Sequence, residues 1–76
     1  MIYTDPLGHL ISDTSLEELH QFARSIGLKR EWFQDGRHPH YDLTTARARN
    51  RALDAGAKLV SPREIVKMLR AAPYSP

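Results

Sequence analysis

The sequence contains no cysteine, and this absence excludes several classes of protein at once. Without Cys there is no disulfide, no thiolate nucleophile and no Cys-based zinc finger or ribbon. The longest apolar run is far shorter than the roughly 18–20 residues that a membrane-spanning helix needs, and no cationic apolar leader opens the chain. We therefore expect a soluble, cytoplasmic protein with no membrane partner.

Several motifs of nucleotide-binding proteins and hydrolases are also missing. The chain has no Gly-rich phosphate loop, no Gly-x-Ser-x-Gly and no His-Glu-x-x-His. Only four glycines occur, and each lies where a turn or a helix end is expected. We therefore expect no cofactor. Catalysis in so small a chain would need a wall supplied by another subunit or partner, so a dimer stays open.

The 76 residues are enough for one small domain, in which folding buries only about 60–65% of the unfolded chain's surface. We assign residues 1–72 to a single domain and residues 73–76, which contain two prolines, to a loose tail. The net charge of +2 conceals a strong asymmetry. Residues 1–23 carry −4, residues 24–51 carry +4 and residues 52–76 carry +2.

Two short β-prone segments open the chain. Residues 1–4 and residues 9–12 are separated by the turn-like Asp5-Pro6-Leu7-Gly8. Four residues suffice for an antiparallel connection but not for a parallel crossover. We therefore predict a hairpin.

Three helices follow, each with a start signal. A capping box with Ser15 as N-cap begins the first, and Gly27 ends it. The second helix is predicted over roughly residues 45–55, with Thr44 or Asp42 as N-cap and small apolar residues on its buried face. The third begins after Ser61, with proline at the first helical position.

Residues 57–60 form a third predicted strand, whereas residues 28–43 are expected to be irregular with one helical turn near Trp32. The order is therefore β-β-α-loop-α-β-α. This order predicts the α/β (α+β) class, with a small mixed sheet of about three strands packed against three helices. Because two helices precede the third strand, we expect it to lie parallel to one of the first two.

Several segments carry a resemblance to a known family. The sequence resembles the domain-of-unknown-function family 4031 over nearly the whole chain. The segments are Met1-Ile2-Tyr3, Gly8 to Asp13, Ser15 to His20, Trp32-Phe33, His40 to Thr44, Gly56-Ala57 and the Ser-x-Arg-Glu start of the last helix.

The resemblance implies a small bacterial or phage protein and brings no activity with it. Many relatives have a longer, Trp-containing loop where this chain has only residues 5–8. If that loop forms part of a site in the relatives, the site is shortened here.

The run His38-Pro39-His40-Tyr41-Asp42 is the first candidate for chemistry. In an extended backbone, His38, His40 and Asp42 project from one side. Two imidazoles and a carboxylate suit a divalent metal with an open position, or a base with an orienting acid. The spacing is only weakly specific, so we expect no metal, and His38, His40 and Asp42 remain weak candidates for its ligands.

Residues of the predicted hairpin extend this set. Asp5, His9 and Asp13 flank the first two strands and are candidates to complete a site with His40 and Asp42. The candidate catalytic residues are therefore His9, His40, Asp42 and Asp5. The structural alternative is that Asp42 caps a helix and His40 is hydrogen-bonded within a packed loop.

The second candidate feature is the basic middle of the chain. Arg47 and Arg51 face away from the apolar side of the second helix, whereas Arg49 lies between its apolar positions. Together with Arg37 they are candidates to bind phosphate or an acidic partner. Arg49 is alternatively paired with Asp5 or Asp13 inside the protein.

Two further patterns favour structural roles. Residues 16–33 resemble a helix-turn-helix, but Gly36 and Pro39 cut the second helix too short to read DNA. His20 is expected at the edge of the core with a local hydrogen bond, and Trp32 and Phe33 are expected to fill the core.

Three functional classes remain open. The preferred hypothesis is a binding module that contacts nucleic acid, a nucleotide or an acidic protein surface through the basic middle segment. The second is a small hydrolase-like or metal-binding site built from Asp5, His9, His40 and Asp42. The third is an accessory factor that binds only protein. The first two are distinguished by whether the histidines and carboxylates converge.

Overall fold

A four-stranded mixed sheet carries three helices in the computed structural model, which describes residues 1–74. The strands are β1 (Ile2–Thr4), β2 (His9–Ser12), β3 (Tyr41–Asp42) and β4 (Lys58–Leu59). The helices are α1 (Leu16–Ser25), α2 (Ala46–Asp54) and α3 (Pro62–Ala71). A 3₁₀ turn covers Arg30–Trp32, where the sequence predicts a helical turn. The α+β class is confirmed.

The strands are arranged in the order β3-β2-β1-β4. The predicted hairpin is present, since β1 and β2 are antiparallel with Tyr3 opposite Ile11. β4 lies parallel to β1, as the two intervening helices predict. Both ends of the sheet are therefore formed by two-residue strands, and β3 forms the edge beside β2.

The strand count differs from the prediction of about three. Tyr41–Asp42 lies in the segment expected to be irregular, yet it pairs antiparallel with β2, with His9 opposite Asp42. Two residues are too few to show an alternating pattern, and their partner strand lies about thirty positions earlier. This pairing comes from tertiary contacts, not from a local signal.

The helix starts are set by side-chain caps. Ser15 Oγ accepts the backbone N–H of Glu18 at 3.1 Å, and Ser61 Oγ accepts that of Glu64 at 3.2 Å, as predicted. The N-cap of α2 is Thr45, whose hydroxyl oxygen accepts the N–H of Ala48 at 3.0 Å. The prediction of Thr44 or Asp42 was therefore wrong, because Asp42 is held in β3.

The two faces of the sheet are covered by different helices. Leu10 and Tyr41 belong to the main core, together with Leu19 of α1 and Ala52 of α2. On the opposite face, Ile11 packs against Ile65 and Leu69 of α3. Since side chains alternate along a strand, His9 projects on the Ile11 side, and Asp42 opposite it does the same.

The chain end packs back onto the sheet as far as it is described. Tyr74 is half-buried, and its hydroxyl donates to the backbone carbonyl of Ser12. The loose tail expected from Pro73 onward is thus docked at this residue. Ser75 and Pro76, also assigned to the tail, lie outside the described residues. Over residues 1–74, no helix is long and apolar enough to cross a membrane.

Candidate metal centre

The β2–β3 pairing brings the first two members of the candidate site together. His9 is the first residue of β2 and lies directly opposite Asp42 in β3. Directly opposed residues of an antiparallel pair have Cβ atoms about 4.5–5.5 Å apart on the same face. The imidazole and the carboxylate therefore point into one shared space at the edge of the sheet.

His40 is added by the loop that precedes β3. Its backbone N–H and carbonyl both bond to the backbone of Gln34, at 3.2 and 2.9 Å, and the buried Pro39 precedes it. His40 lies two positions before Asp42, so the two side chains leave the same face of the extended segment. The loop is thereby pinned at the point where the imidazole must be placed.

Three side chains converge as a result. One ligand atom each from His9, His40 and Asp42 lies within 4.8 Å of the others. The two imidazole rings meet edge to face with centroids 5.4 Å apart. The side chains are 38%, 20% and 40% exposed, respectively, so the group is open to solvent on one side.

Asp5 fixes the orientation of His9 from behind. Its side chain is completely buried, and its Oδ2 lies 2.8 Å from His9 Nδ1. Asp5 Oδ1 accepts the backbone N–H groups of Leu7 and His9, at 3.1 and 3.0 Å, which closes the β1–β2 turn. Because a carboxylate only accepts, His9 Nδ1 carries the proton and Nε2 keeps its lone pair.

His40 is oriented in the same sense by a backbone group. Its Nδ1 lies 2.6 Å from the carbonyl oxygen of His38, which only accepts, so Nδ1 is the protonated nitrogen. His40 Nε2 then faces Asp42 Oδ1 at 3.2 Å. With a neutral imidazole these two atoms are both acceptors. The contact is favourable only when a proton or a metal cation lies between them.

Gln34 completes the surroundings of Asp42. Its side-chain amide donates to Asp42 Oδ2, so that Oδ1 is left facing His40. Sequence reasoning missed this residue, since its role follows from the Gln34–His40 backbone bridge and from no motif. A hydrogen-bonded outer group is what a ligating carboxylate usually has.

Gly8 is the residue that lets β2 and β3 meet at this end. Its φ is +94°, and an added Cβ would lie 2.5 Å from the carbonyl oxygen of Leu43. The Leu43 N–H also donates to the Gly8 carbonyl at 2.7 Å. Only glycine combines this conformation with so close a backbone approach.

The donor set fits a divalent transition metal. Two imidazole nitrogens and one carboxylate oxygen, with one side open, match the three protein ligands of a catalytic Zn²⁺ site. Two ligands about 2.1 Å from a tetrahedral ion are roughly 3.4 Å apart, close to the observed 3.2 Å between His40 Nε2 and Asp42 Oδ1. Both imidazoles also have the hydrogen-bonded Nδ1 that ligating histidines show.

A comparison with protein families finds one family model that covers nearly the whole chain. Residues 3–72 match the family described as "Protein of unknown function (DUF4031)". The chain belongs to the DUF4031 family. No curated protein and no solved structure matches the chain significantly. The resemblance noted from the sequence is confirmed.

The remaining predicted site residues of this DUF4031 domain lie in other arrangements. The His38 side chain is exposed and outside the converging group, to which it contributes only its backbone carbonyl. Asp13 lies at the other end of β2 and accepts from the N-terminal ammonium at 2.9 Å. The structure therefore brings together His9, His40 and Asp42, with Asp5 behind them.

Among the described residues, Arg49 does not pair with Asp5 or Asp13. Arg49 is half-buried, and one of its guanidinium nitrogens lies 3.4 Å from the Leu43 carbonyl. Arg51 likewise donates to the Ile26 carbonyl at 3.3 Å. Arg47 and Arg37 are exposed. In the described chain, Asp5 and Asp13 have the other partners named above.

His20 and Trp32 lie in different environments. His20 Nδ1 lies 2.9 Å from the Tyr41 hydroxyl and its ring packs edge to face on Phe33, as expected of a boundary histidine. Burial, together with the charges of Arg30 and Arg24, lowers the pKa of His20. Trp32, in contrast, is 49% exposed, so its assignment to the core was wrong.

Proposed function

We propose that this DUF4031 domain binds a divalent transition metal, Zn²⁺ in the first instance, and uses it for hydrolysis. The ligands are His9 Nε2, His40 Nε2 and Asp42 Oδ1. The observation that carries the proposal is that both imidazoles have Nδ1 engaged, while a ligand atom from each of the three side chains lies within 4.8 Å of the others.

The residues around the ligands have separate tasks. Asp5 holds the His9 ring in place, whereas Gln34 holds Asp42. A divalent ion held by His9, His40 and Asp42 would supply activated water at neutral pH. In hydrolysis the water oxygen bonds to the electrophilic atom and the bond to the leaving oxygen breaks. Water loses one proton, and the leaving oxygen gains one.

The simpler alternative for the same contacts is an ion pair between a protonated His40 and Asp42. That arrangement satisfies the 3.2 Å contact without a metal. It gives His9 no role, however, although the ring of His9 is held by a fully buried carboxylate and lies against His40. The convergence of a second oriented imidazole favours the metal.

Isothermal titration calorimetry of the metal-free protein with Zn²⁺ tests the proposal. We expect one site per chain in the wild type and at least a tenfold weaker affinity in His9→Ala, His40→Ala and Asp42→Ala. His38→Ala is the matched control, because it removes a neighbouring imidazole and retains the backbone carbonyl that holds His40. Absence of binding, or equal loss in the control, contradicts the proposal.

A further inference from the structure

One cleft meets the candidate metal centre, and a second cleft adjoins the first. The first, of about 580 Å³, is lined by Asp42 and by Trp32. The second, of about 380 Å³, is lined by Arg47 and Arg51. They share the four lining residues Leu28, Trp32, Thr45 and Ala48. One groove therefore runs from a metal ligand, past an exposed indole, to two arginines.

A third cleft is lined by another of the candidate ligands. It has a volume of about 560 Å³ and is lined by His40, His38 and Arg37. It shares Phe33 and Gln34 with the cleft that contains Asp42. Asp42 and His40 thus line two adjoining clefts, and the cleft with His40 also contains Arg37 and Asp35.

The charges along the groove favour an anionic chain. Arg47 is exposed. Arg51 donates a hydrogen bond to the Ile26 carbonyl from one guanidinium nitrogen, and its other N–H groups remain available to a ligand. Lys29 lines neither cleft, but its ammonium lies 5.6 Å from the Trp32 ring centroid. Glu31 is an acid that lines the groove besides Asp42. A metal ion held by Asp42 would offset the negative charge of that carboxylate.

The exposed side chain of Trp32 indicates which class of anionic chain the groove suits. The Trp32 side chain is 49% exposed, although burying it would stabilise a protein with so small a hydrophobic core. Stacking with a nucleobase uses such a surface, and it requires an unpaired base. Phosphates spaced along the same strand suit Arg47 and Arg51.

We propose that the groove defined by Trp32, Arg47 and Arg51 binds single-stranded nucleic acid, and that a phosphodiester of this strand is the substrate of the metal centre. This substrate assignment rests on the function proposed above. In the reaction the water oxygen bonds to phosphorus and the P–O bond to one sugar breaks. Water gives up one proton, and the departing sugar oxygen takes up one.

Binding is measured first in EDTA, so that the result does not depend on the metal. Fluorescence anisotropy follows labelled single-stranded DNA and RNA of mixed sequence, with a DNA duplex for comparison. We expect tighter binding of single strands, a loss of about fivefold or more in Trp32→Ala, and a salt slope smaller by about 0.7 in Arg47→Ala. Arg70→Ala is the control, since Arg70 is an exposed cation in the last turn of α3.

Trp32 is the only tryptophan, so the intrinsic fluorescence of the wild type reports on this groove directly. We expect quenching by single strands. Absent binding, or equal losses in Trp32→Ala and Arg70→Ala, overturns the groove assignment and leaves the metal proposal standing.

Cleavage is measured second, on a denaturing gel with Zn²⁺ present. Metal-dependent shortening of the strand by the wild type and not by His40→Ala supports the substrate assignment. An intact strand, with Zn²⁺ bound and the strand bound, overturns the assignment of nucleic acid as substrate. If no Zn²⁺ binds, the proposed function fails, while the EDTA experiment still decides whether the groove holds a strand.

Discussion

The buried carboxylate of Asp5 accepts the Nδ1–H of His9 at 2.8 Å, and this contact determines which nitrogen of His9 faces the shared space with His40 and Asp42. The same carboxylate caps the β1–β2 turn through two backbone N–H groups. One buried side chain therefore links the hairpin to the orientation of the candidate ligand. A substitution that removes the charge of Asp5 tests whether its role in the turn and its role in orienting His9 can be separated.

Asp5→Asn is expected to weaken Zn²⁺ binding about 10–100-fold, because the amide is a poorer partner for the His9 imidazole. Calorimetric titration of the folded variant measures the change. Asp13→Asn is the control, since this carboxylate lies at the other end of β2 and contacts neither histidine. Equal affinities for wild type and Asp5→Asn would show that Asp5 acts only on the turn.

Gly8→Ala tests the close approach of β2 and β3. A Cβ there meets the Leu43 carbonyl at 2.5 Å in addition to the cost of a φ of +94°. Gly56 has a φ of +110° with nothing within 4 Å of an added Cβ, so Gly56→Ala carries the conformational cost alone.

We expect Gly56→Ala to lower the free energy of unfolding by about 1–2 kcal/mol, and Gly8→Ala to lower it by more and also to weaken Zn²⁺ binding. Urea unfolding and calorimetric titration measure the two effects. Equal destabilisation by the two substitutions contradicts the importance of the Gly8–Leu43 contact.

More of the fold than of the candidate site could be predicted from the sequence. Ser15 and Ser61 cap their helices as expected, because a cap is a local pattern of four residues. β3 and the Gln34 contact could not be predicted, since both depend on pairing between distant segments. His9, His40 and Asp42 were named as candidates from their chemistry, but only the β2–β3 register shows that His9, and not His38, joins the other two.

His20 makes stability depend on pH. Burial, with the charges of Arg30 and Arg24, lowers its pKa in the folded state, so the unfolded chain binds a proton more readily. His20 therefore does not reduce the free energy of unfolding above the pKa of the unfolded chain, about 6.5. It reduces this free energy as the pH falls from there through the lowered pKa of the folded state. We expect the free energy of unfolding in metal-free protein to fall less steeply between pH 7 and 5 in His20→Gln. Identical slopes would exclude this contribution.

Metal removal is expected to lower the melting temperature of the loaded protein. At free Zn²⁺ one hundred times the Kd, binding stabilises the folded state by about 2.7 kcal/mol, or roughly 10–20 °C for a domain of this size. EDTA reverses the shift. His40→Ala abolishes it and His38→Ala retains it. A shift of equal size in both variants points to Zn²⁺ binding elsewhere.

Anomalous diffraction from crystals grown with Zn²⁺ tests whether His9, His40 and Asp42 together bind the ion. Data collected on both sides of the zinc absorption edge identify the ion and place it. We expect one strong peak per chain, about 2.0–2.2 Å from His9 Nε2, His40 Nε2 and Asp42 Oδ1. A map without a peak among these three atoms, with His40 paired directly to Asp42 at saturating Zn²⁺, would contradict this expectation.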